Sequence, residues 1–404
     1  MTHCMNKKSI RLTAFAVAAL TAGVSLAEPL SLTAAHTWTH DSNLARTLNP
    51  ISDTVNVTAL QLGLDKQYGR QTYRGAAKIS AVRYSKYGDL LNNDAKDFDL
   101  GFSSDLLSNW RLVLDGSYGE NLNQFENNKA TEHLVKNTRT NKNASGQLIY
   151  GVSGIWAVVG SVGKSSLGYS VPEYQNLNYR QDQQGIKAVY YSTDLLNYSL
   201  GLRHVNSQFT KTLEEIDENN LDLATSWVVS GLSQLNATVS WTESKRRVQA
   251  DRRFNGFTGH LNWNYTPRGV VNYGVSAYRT SNSDQYSTNY LMFDPSGGFT
   301  RNSAQVAFNN RVTALNIFAK WLASAKVSLT ASTSWNSYQV ENDLVNNQVN
   351  DTSHFRRYGL VGTYSPERWM SFSAGVNKYS QTKDATRNPY SGRSVDVSAS
   401  FTLD

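Results

Sequence analysis

The residues that could do chemistry are few and lie far apart. Gly160-Ser161-Val162-Gly163-Lys164-Ser165 echoes a phosphate-binding loop, in which glycine backbone N–H groups cradle phosphates and a lysine reaches them. Its first glycine stands three residues before Gly163 rather than five, and no helical pattern follows, so the stretch reads as the end of a strand. His36 and His40 are four residues apart. On an extended chain that is about 13 Å, too far for one metal ion. His133 and His354 fall in polar loops, and His204 and His260 stand alone. The single cysteine, Cys4, precedes an apolar run near the N-terminus, so the rest of the chain has no thiol nucleophile, thiolate metal site or disulfide. A Ser/His/acid triad can be built from residues distant in sequence, and His204 is a candidate member, but no serine or acid is visibly placed beside it. No catalytic residue, metal site or cofactor is expected, and the chain is not read as an enzyme.

What the sequence does offer is charge at alternate positions. Arg74, Lys78, Asp99, Arg111, Asp115, Lys187, Arg203, Asp222, Asn262, Asn264, Lys320 and Asp396 all fall between apolar residues of period two. Examples of the apolar partners are Leu112-Leu114-Gly116-Tyr118, Leu235-Ala237-Val239-Trp241 and Val327-Leu329-Ala331-Thr333-Trp335. Period two marks strands, each with one apolar and one polar face.

About 18 such segments recur. They pair through short turns at 65–71, 104–109, 151–155, 192–197, 230–234, 266–269, 322–326 and 365–368. Longer polar loops lie between the pairs, at 41–53, 86–97, 120–138, 165–184, 208–220, 244–255, 281–311, 338–355 and 379–392. This alternation of short and long connections fits an all-β fold: a transmembrane antiparallel up-and-down β-barrel of about 18 strands, with short periplasmic turns and long outer loops. The competing arrangement, a row of soluble β-sandwiches, would concentrate its large aromatics mid-strand. Here Trp110, Trp156, Trp227, Trp263, Trp321 and Trp369 flank short turns, and Trp38, Trp241 and Trp335 sit near long-loop ends, as in an aromatic girdle at two membrane interfaces. The apolar face then meets lipid. The charged positions line a lumen in which cations slightly outnumber acids.

Eighteen strands tilted about 40° enclose a backbone cylinder roughly 35 Å across, open to water unless loops fill it. The loop 281–311, the longest, is the expected plug or lid. Glu214, Glu215, Asp217 and Glu218 make one outer loop acidic. Lys245, Arg246, Arg247, Arg252 and Arg253 make another basic, suited to lipopolysaccharide phosphates or to balancing the acidic loop.

Lys7, Lys8 and Arg11, the apolar run Leu12–Gly23 and the small residues around Ala27 read as a secretory signal peptide over 1–27, leaving 28–404 as one barrel domain. The signal holds three basic residues and no acidic one, so the formal charge of +7 falls to about +4 once it is removed, too little to suggest nucleic acid. Mean hydropathy is −0.47, and no later segment is long and apolar enough for a helical span.

Several stretches resemble one family: Ser52-Asp53-Thr54 with Tyr68-Gly69-Arg70-Gln71, Trp110-Arg111-Leu112, Phe254-Asn255-Gly256-Phe257 through Tyr265-Thr266-Pro267, and Pro366-Glu367-Arg368-Trp369. They are similar to the EpsL-type outer-membrane β-barrels encoded with exopolysaccharide operons, within a wider β-barrel porin group. The resemblance implies a channel or scaffold for exopolysaccharide, with outer-membrane lipid, lipopolysaccharide and periplasmic export machinery as partners and no catalytic residues to transfer. The rival expectation is a general diffusion porin for small hydrophilic solutes. A barrel enzyme and a non-conducting structural barrel are further alternatives. One departure stands out: Phe401 is followed by Thr402-Leu403-Asp404, whereas such barrels commonly end in an aromatic residue.

Overall fold

The computed structural model describes residues 29–123, 134–248, 253–267, 269–280, 289–293, 299–303, 310–344, 347–383 and 388–403. The signal peptide expected over 1–27 lies outside them.

The first half of the chain forms β1 (Leu30–Asp41), β2 (Asp53–Tyr68), β3 (Gln71–Tyr84), β4 (Asn93–Leu107), β5 (Trp110–Leu122), β6 (Thr138–Tyr150), β7 (Trp156–Tyr169), β8 (Tyr179–Thr193) and β9 (Leu196–Phe209). The second half forms β10 (Glu215–Ser230), β11 (Ser233–Arg246), β12 (Phe254–Tyr265), β13 (Val271–Thr280), β14 (Asn289–Phe293), β15 (Phe299–Ser303), β16 (Asn310–Leu322), β17 (Val327–Leu344), β18 (Asn347–Glu367), β19 (Met370–Gln381) and β20 (Tyr390–Leu403). Eighteen of these pair antiparallel in sequence order, and β1 pairs with both β2 and β20, so the sheet closes on itself. Closure removes both edges, the requirement for a sheet that spans lipid. The remaining two, β14 and β15, pair with each other as a separate hairpin.

Short connections gather at one end. β2 and β3 are joined by Gly69-Arg70 alone, and Gly69 has φ 60°, the left-handed conformation that matches a hairpin to the strand twist. The register shifts at Asp105/Leu107, Tyr191/Thr193, Val228/Ser230 and Tyr364/Glu367 all lie beside short turns, where a bulge adds local twist.

At the other end the strands run further than their apolar alternation suggests. The expected loop 338–355 is largely a continuation of β17 and β18, which pair as far as Leu344 and Asn347. β7 to β12 likewise extend into the expected loops 165–184, 208–220 and 244–255. Beyond the hydrocarbon the outer face of a strand meets water, so backbone pairing continues without an apolar pattern to announce it. The expected plug, 281–311, contributes β14 and β15. Residues 281–288, 294–298 and 304–309 of that stretch lie outside the described residues.

Candidate lumen and constriction

Residues paired directly across strands share a face, so the pairings sort the wall into two surfaces. One row runs Leu112, Leu148, Gly160, Ile186, Leu202, Leu221, Trp241, Phe257 from β5 to β12. The row beside it, one residue along, runs Arg111, Ile149, Val159, Lys187, Gly201, Asp222, Ser240, Thr258. The first face leaves Leu100 69%, Val162 63% and Leu202 62% exposed. A continuous apolar surface around a whole barrel is stable only against hydrocarbon, so this face is the outer wall. On β5 its apolar stretch runs from Trp110 to Tyr118, about 27 Å along the strand and about 21 Å once tilted, close to the height of a membrane belt.

The tryptophans mark its two borders. Trp110 packs on Tyr150 at 4.8 Å, Trp156 on Tyr190 at 4.6 Å, and the Trp263 indole N–H donates to Ser233 Oγ at 3.0 Å, all near the short turns. Trp227, Trp321 and Trp369 lie at the same end, the last stacked on Phe401. Trp38, Trp241 and Trp335 lie higher, with Trp241 against Phe257 at 4.8 Å.

All twelve residues singled out from the sequence, namely Arg74, Lys78, Asp99, Arg111, Asp115, Lys187, Arg203, Asp222, Asn262, Asn264, Lys320 and Asp396, occupy the register opposite the outer wall. Alternation left part of the inner charge unrecognised. Asp41, Asp53, Asp65, Asp97, Asp105 and Glu218 share the inner face, as do Arg139, Arg246 and Arg357. Among the described residues the inner face is therefore near charge parity, without the slight cationic excess expected from the sequence.

The twelve do not form one site. Arg74, Lys78, Asp99 and Asp115 gather on β3 to β5, where Lys78 faces Asp97 across the strands, and Gly101, the cross-strand partner of Arg74, has Asp115 against it. Arg111 pairs with Asp105 at 2.6 Å at the short-turn end of that cluster. Arg203 grips Asp222 through two hydrogen bonds, Nε to Oδ2 at 2.9 Å and Nη2 to Oδ1 at 3.4 Å. Asp396 is buried and accepts from Asn377 Nδ2 at 2.8 Å, which takes it out of an open path. Lys187 is exposed on β8, and Lys320, Asn262 and Asn264 lie on the opposite arc.

Solvent reaches the inner face unevenly. Arg74, Asp99, Asp115, Asn143 and Ser145 are exposed, so a wet strip runs over β3 to β6; Lys187 on β8 is exposed too, but β7 between them buries Ala157 and Val159. Towards the long-loop end other inner residues are buried, among them Val205, Ile216, Glu218, Thr242, Val312 and Ser353. Polar members of this layer are bonded to one another: Asn220 donates to Glu218 Oε1 at 2.8 Å, and Thr242 donates to Asn220 Oδ1 at 2.6 Å.

One narrowing element is resolved in full and was not recognised from the sequence. The connection between β1 and β2 folds onto the inner face of β19 and β20. Asp41 accepts from the Asn43 backbone N–H at 2.8 Å, from Arg46 Nη1 at 2.9 Å and from the Tyr379 hydroxyl. The Arg46 guanidinium lies 3.8 Å from the centre of the Tyr379 ring, and Arg46 Nη1 also donates to the Asn43 carbonyl at 2.7 Å. Asn43 is fully buried and donates to the carbonyls of Thr47 and Ser391. Arg46 has φ 57°, a conformation unfavourable for a side chain with Cβ, so these contacts must hold it there. The loop is thus pinned inward at the mouth. The adjoining connection is tied down by Asp53, which accepts from the Lys86 and Tyr87 backbone N–H groups.

His204 does have polar neighbours, contrary to the sequence expectation. Its Nδ1 lies 3.0 Å from Asn219 Oδ1, and its Nε2 lies 3.9 Å from Asp217. Its adjacent outward positions are Leu202 and Asn206 on β9, Gln184 on β8 and Asn219 on β10, and none of these carries a hydroxyl to act as a nucleophile. His36 and His40 bond instead to Thr58 and Thr54, and Gly160 to Ser165 lie within β7. Among the described residues no cluster has the side chains for a metal site.

No protein-family model and no curated protein matches the sequence. The fold does have likenesses among solved structures. The outer membrane protein OpdK of Pseudomonas aeruginosa superposes with a TM-score of 0.51 at 11% identity, over 93% of this chain and all of that one. The same protein with vanillate gives 0.51 at 11% identity, over 94% of this chain and 100% of the other. OccK2 (OpdF) of that organism, in complex with glucuronate, gives 0.52 at 11% identity, over 93% of this chain and 98% of the other. At this identity the likeness is one of fold: a closed, 18-stranded, antiparallel up-and-down barrel of the outer-membrane porin type. The comparisons lend no support to the exopolysaccharide family.

Proposed function

We propose that the chain is an outer-membrane channel for small hydrophilic solutes, with its short turns in the periplasm. The observation that carries this reading is the pairing of an apolar outer wall with solvent-exposed inner residues of both charge signs, Arg74, Asp99, Asp115 and Lys187. Opposed charges along a wet wall orient polar, hydroxyl-rich or carboxylate-bearing solutes without binding them tightly. The similar barrels that hold vanillate and glucuronate, both carboxylates, support a small-solute cargo. The exopolysaccharide role rests on the sequence resemblance alone. A polymer needs continuous width, and the inner face is buried towards the mouth, which favours the small-solute reading.

The reading requires ion conductance from purified protein in a planar bilayer, reduced by millimolar glucuronate or a related sugar acid. A barrel that inserts and folds but passes no current would leave it a structural scaffold. Secretion of normal exopolysaccharide by a deletion strain would remove the polymer role.

A further inference from the structure

Cations crown the outer wall just above the upper aromatic border, and several have a carboxylate beside them. Arg83 pairs with Asp94 at 2.7 Å, Lys96 with Glu120 at 3.4 Å, Lys164 with Asp182 at 3.2 Å and Lys245 with Glu243 at 3.0 Å. On one arc three cations stand together on adjoining strands. Arg356 on β18, Lys378 on β19 and Arg393 on β20 all face outward at this height. Lys378 and Arg393 are direct cross-strand partners, and Arg356 is the diagonal neighbour of Lys378. No Asp or Glu on the upper halves of these three strands shares their face. Like charges placed directly opposite each other across a sheet destabilise it, so this pair favours an anion beside it.

Directly below lies a recess in the apolar wall. Gly362, Ala374 and Ala399 leave a groove of about 550 Å³, bordered by Trp38, Val327, Tyr364, Phe372 and Val397. Along β19 the outward side chains run Phe372, Ala374, Val376, Lys378, so on that strand Val376 alone separates the groove from the cations. Ala374 and Lys378 are separated by about 13 Å. A groove in the hydrocarbon zone suits an acyl chain, and three cations at the interface suit a phosphate.

We propose that this arc is a specific binding site for one phosphorylated lipid of the outer leaflet, the phosphate held by Arg356, Lys378 and Arg393 and an acyl chain lying in the groove beneath. The charge pattern favours this occupant. A second protein copy would bring its own belt against the groove but no phosphate for the cations, and a free anion would leave the groove unused. The inference does not depend on what the lumen carries.

The test uses the full barrel in detergent, with bisphosphorylated lipid A as probe and native mass spectrometry as readout. One tightly retained lipid per barrel is expected. The Arg356→Gln/Lys378→Gln/Arg393→Gln variant should lower retention at least tenfold. Ala374→Trp should lower it with the cations intact, and Lys96→Gln/Lys164→Gln, on acid-paired positions, should leave it unchanged. Heat-modifiable gel mobility checks that each variant is folded. Equal retention by wild type and the triple variant would overturn the proposal, as would an equal loss in the acid-paired control. Full displacement by millimolar inorganic phosphate would reduce the site to a free-anion patch and overturn it as well. Binding would bear on barrel stability rather than on conductance.

Discussion

The inward loop at the mouth gives the sharpest prediction. Asp41→Ala removes the acceptor for the Asn43 N–H, the Arg46 guanidinium and the Tyr379 hydroxyl together, and leaves Arg46 without its counter-charge. Breaking one side of a buried pair typically costs about 3–5 kcal/mol. The Arg46 side chain is 28% exposed, so water recovers part of the loss, and about 2–3 kcal/mol is expected here. At about 1.4 kcal/mol per factor of ten, the undocked loop should become roughly 30- to 150-fold more populated. Tyr379→Phe keeps the ring under Arg46 and removes only the hydroxyl, so about 1 kcal/mol and a fivefold change follow. Trypsin added outside proteoliposomes reads this population, because cleavage after Arg46 requires the loop to leave its left-handed, hydrogen-bonded conformation. The cleavage rate should rise in the order wild type, Tyr379→Phe, Asp41→Ala, and single-channel current should grow and become noisier in the same order. Equal rates for wild type and Asp41→Ala would show that the loop is held by something other than this network, and the constriction argument would fail.

Three further outcomes follow from the two faces of the wall. Reversing the exposed acids with Asp99→Arg/Asp115→Arg should move the reversal potential in a salt gradient towards anion selectivity, and Arg74→Glu/Lys187→Glu should move it the other way; a lumen that conducts elsewhere would show neither shift. Leu200→Lys places a charge in the middle of the outer belt and should cost about 2–4 kcal/mol in denaturant unfolding, whereas Ser199→Lys, one residue away on the inner face, should cost less than 1; equal costs would contradict the assignment of faces. Trp263→Ala loses the hydrogen bond to Ser233 and the stacking on Tyr265 at 5.9 Å, and should lower stability by roughly 1–3 kcal/mol, read as a lower temperature for the loss of heat-modifiable mobility.

The strand number, the closure and the side on which each strand wears its leucines were legible because hydrocarbon imposes a two-residue period wherever it touches the sheet. Leu200 and Leu202 on β9 carry that signal. It stops at His204, although β9 continues to Phe209 and β10 resumes at Glu215, because above the belt nothing penalises a polar side chain on the outer face. Asp97 escaped notice although it stands two residues from Asp99: its partner Lys78 sits on another strand, and only the register brings the two together. The inward loop was invisible for a similar reason. Asp41 meets Tyr379 across 338 positions of sequence, and no local pattern encodes such a contact.

The seam between the first and last strands dictates an order of assembly. β1 and β20 meet over ten register pairs, and Thr33 and Thr402, 369 positions apart, share a hydrogen bond of 3.0 Å there. Bringing such distant segments together in a free chain costs about 5 kcal/mol of loop-closure entropy beyond a constant term. Every other neighbouring pair of barrel strands is separated by one connection, so the hairpins can form early and locally while the seam has to come last. Until it does, β1 and β20 are two unpaired borders in contact with lipid, and the nascent barrel depends on some other surface to shield them.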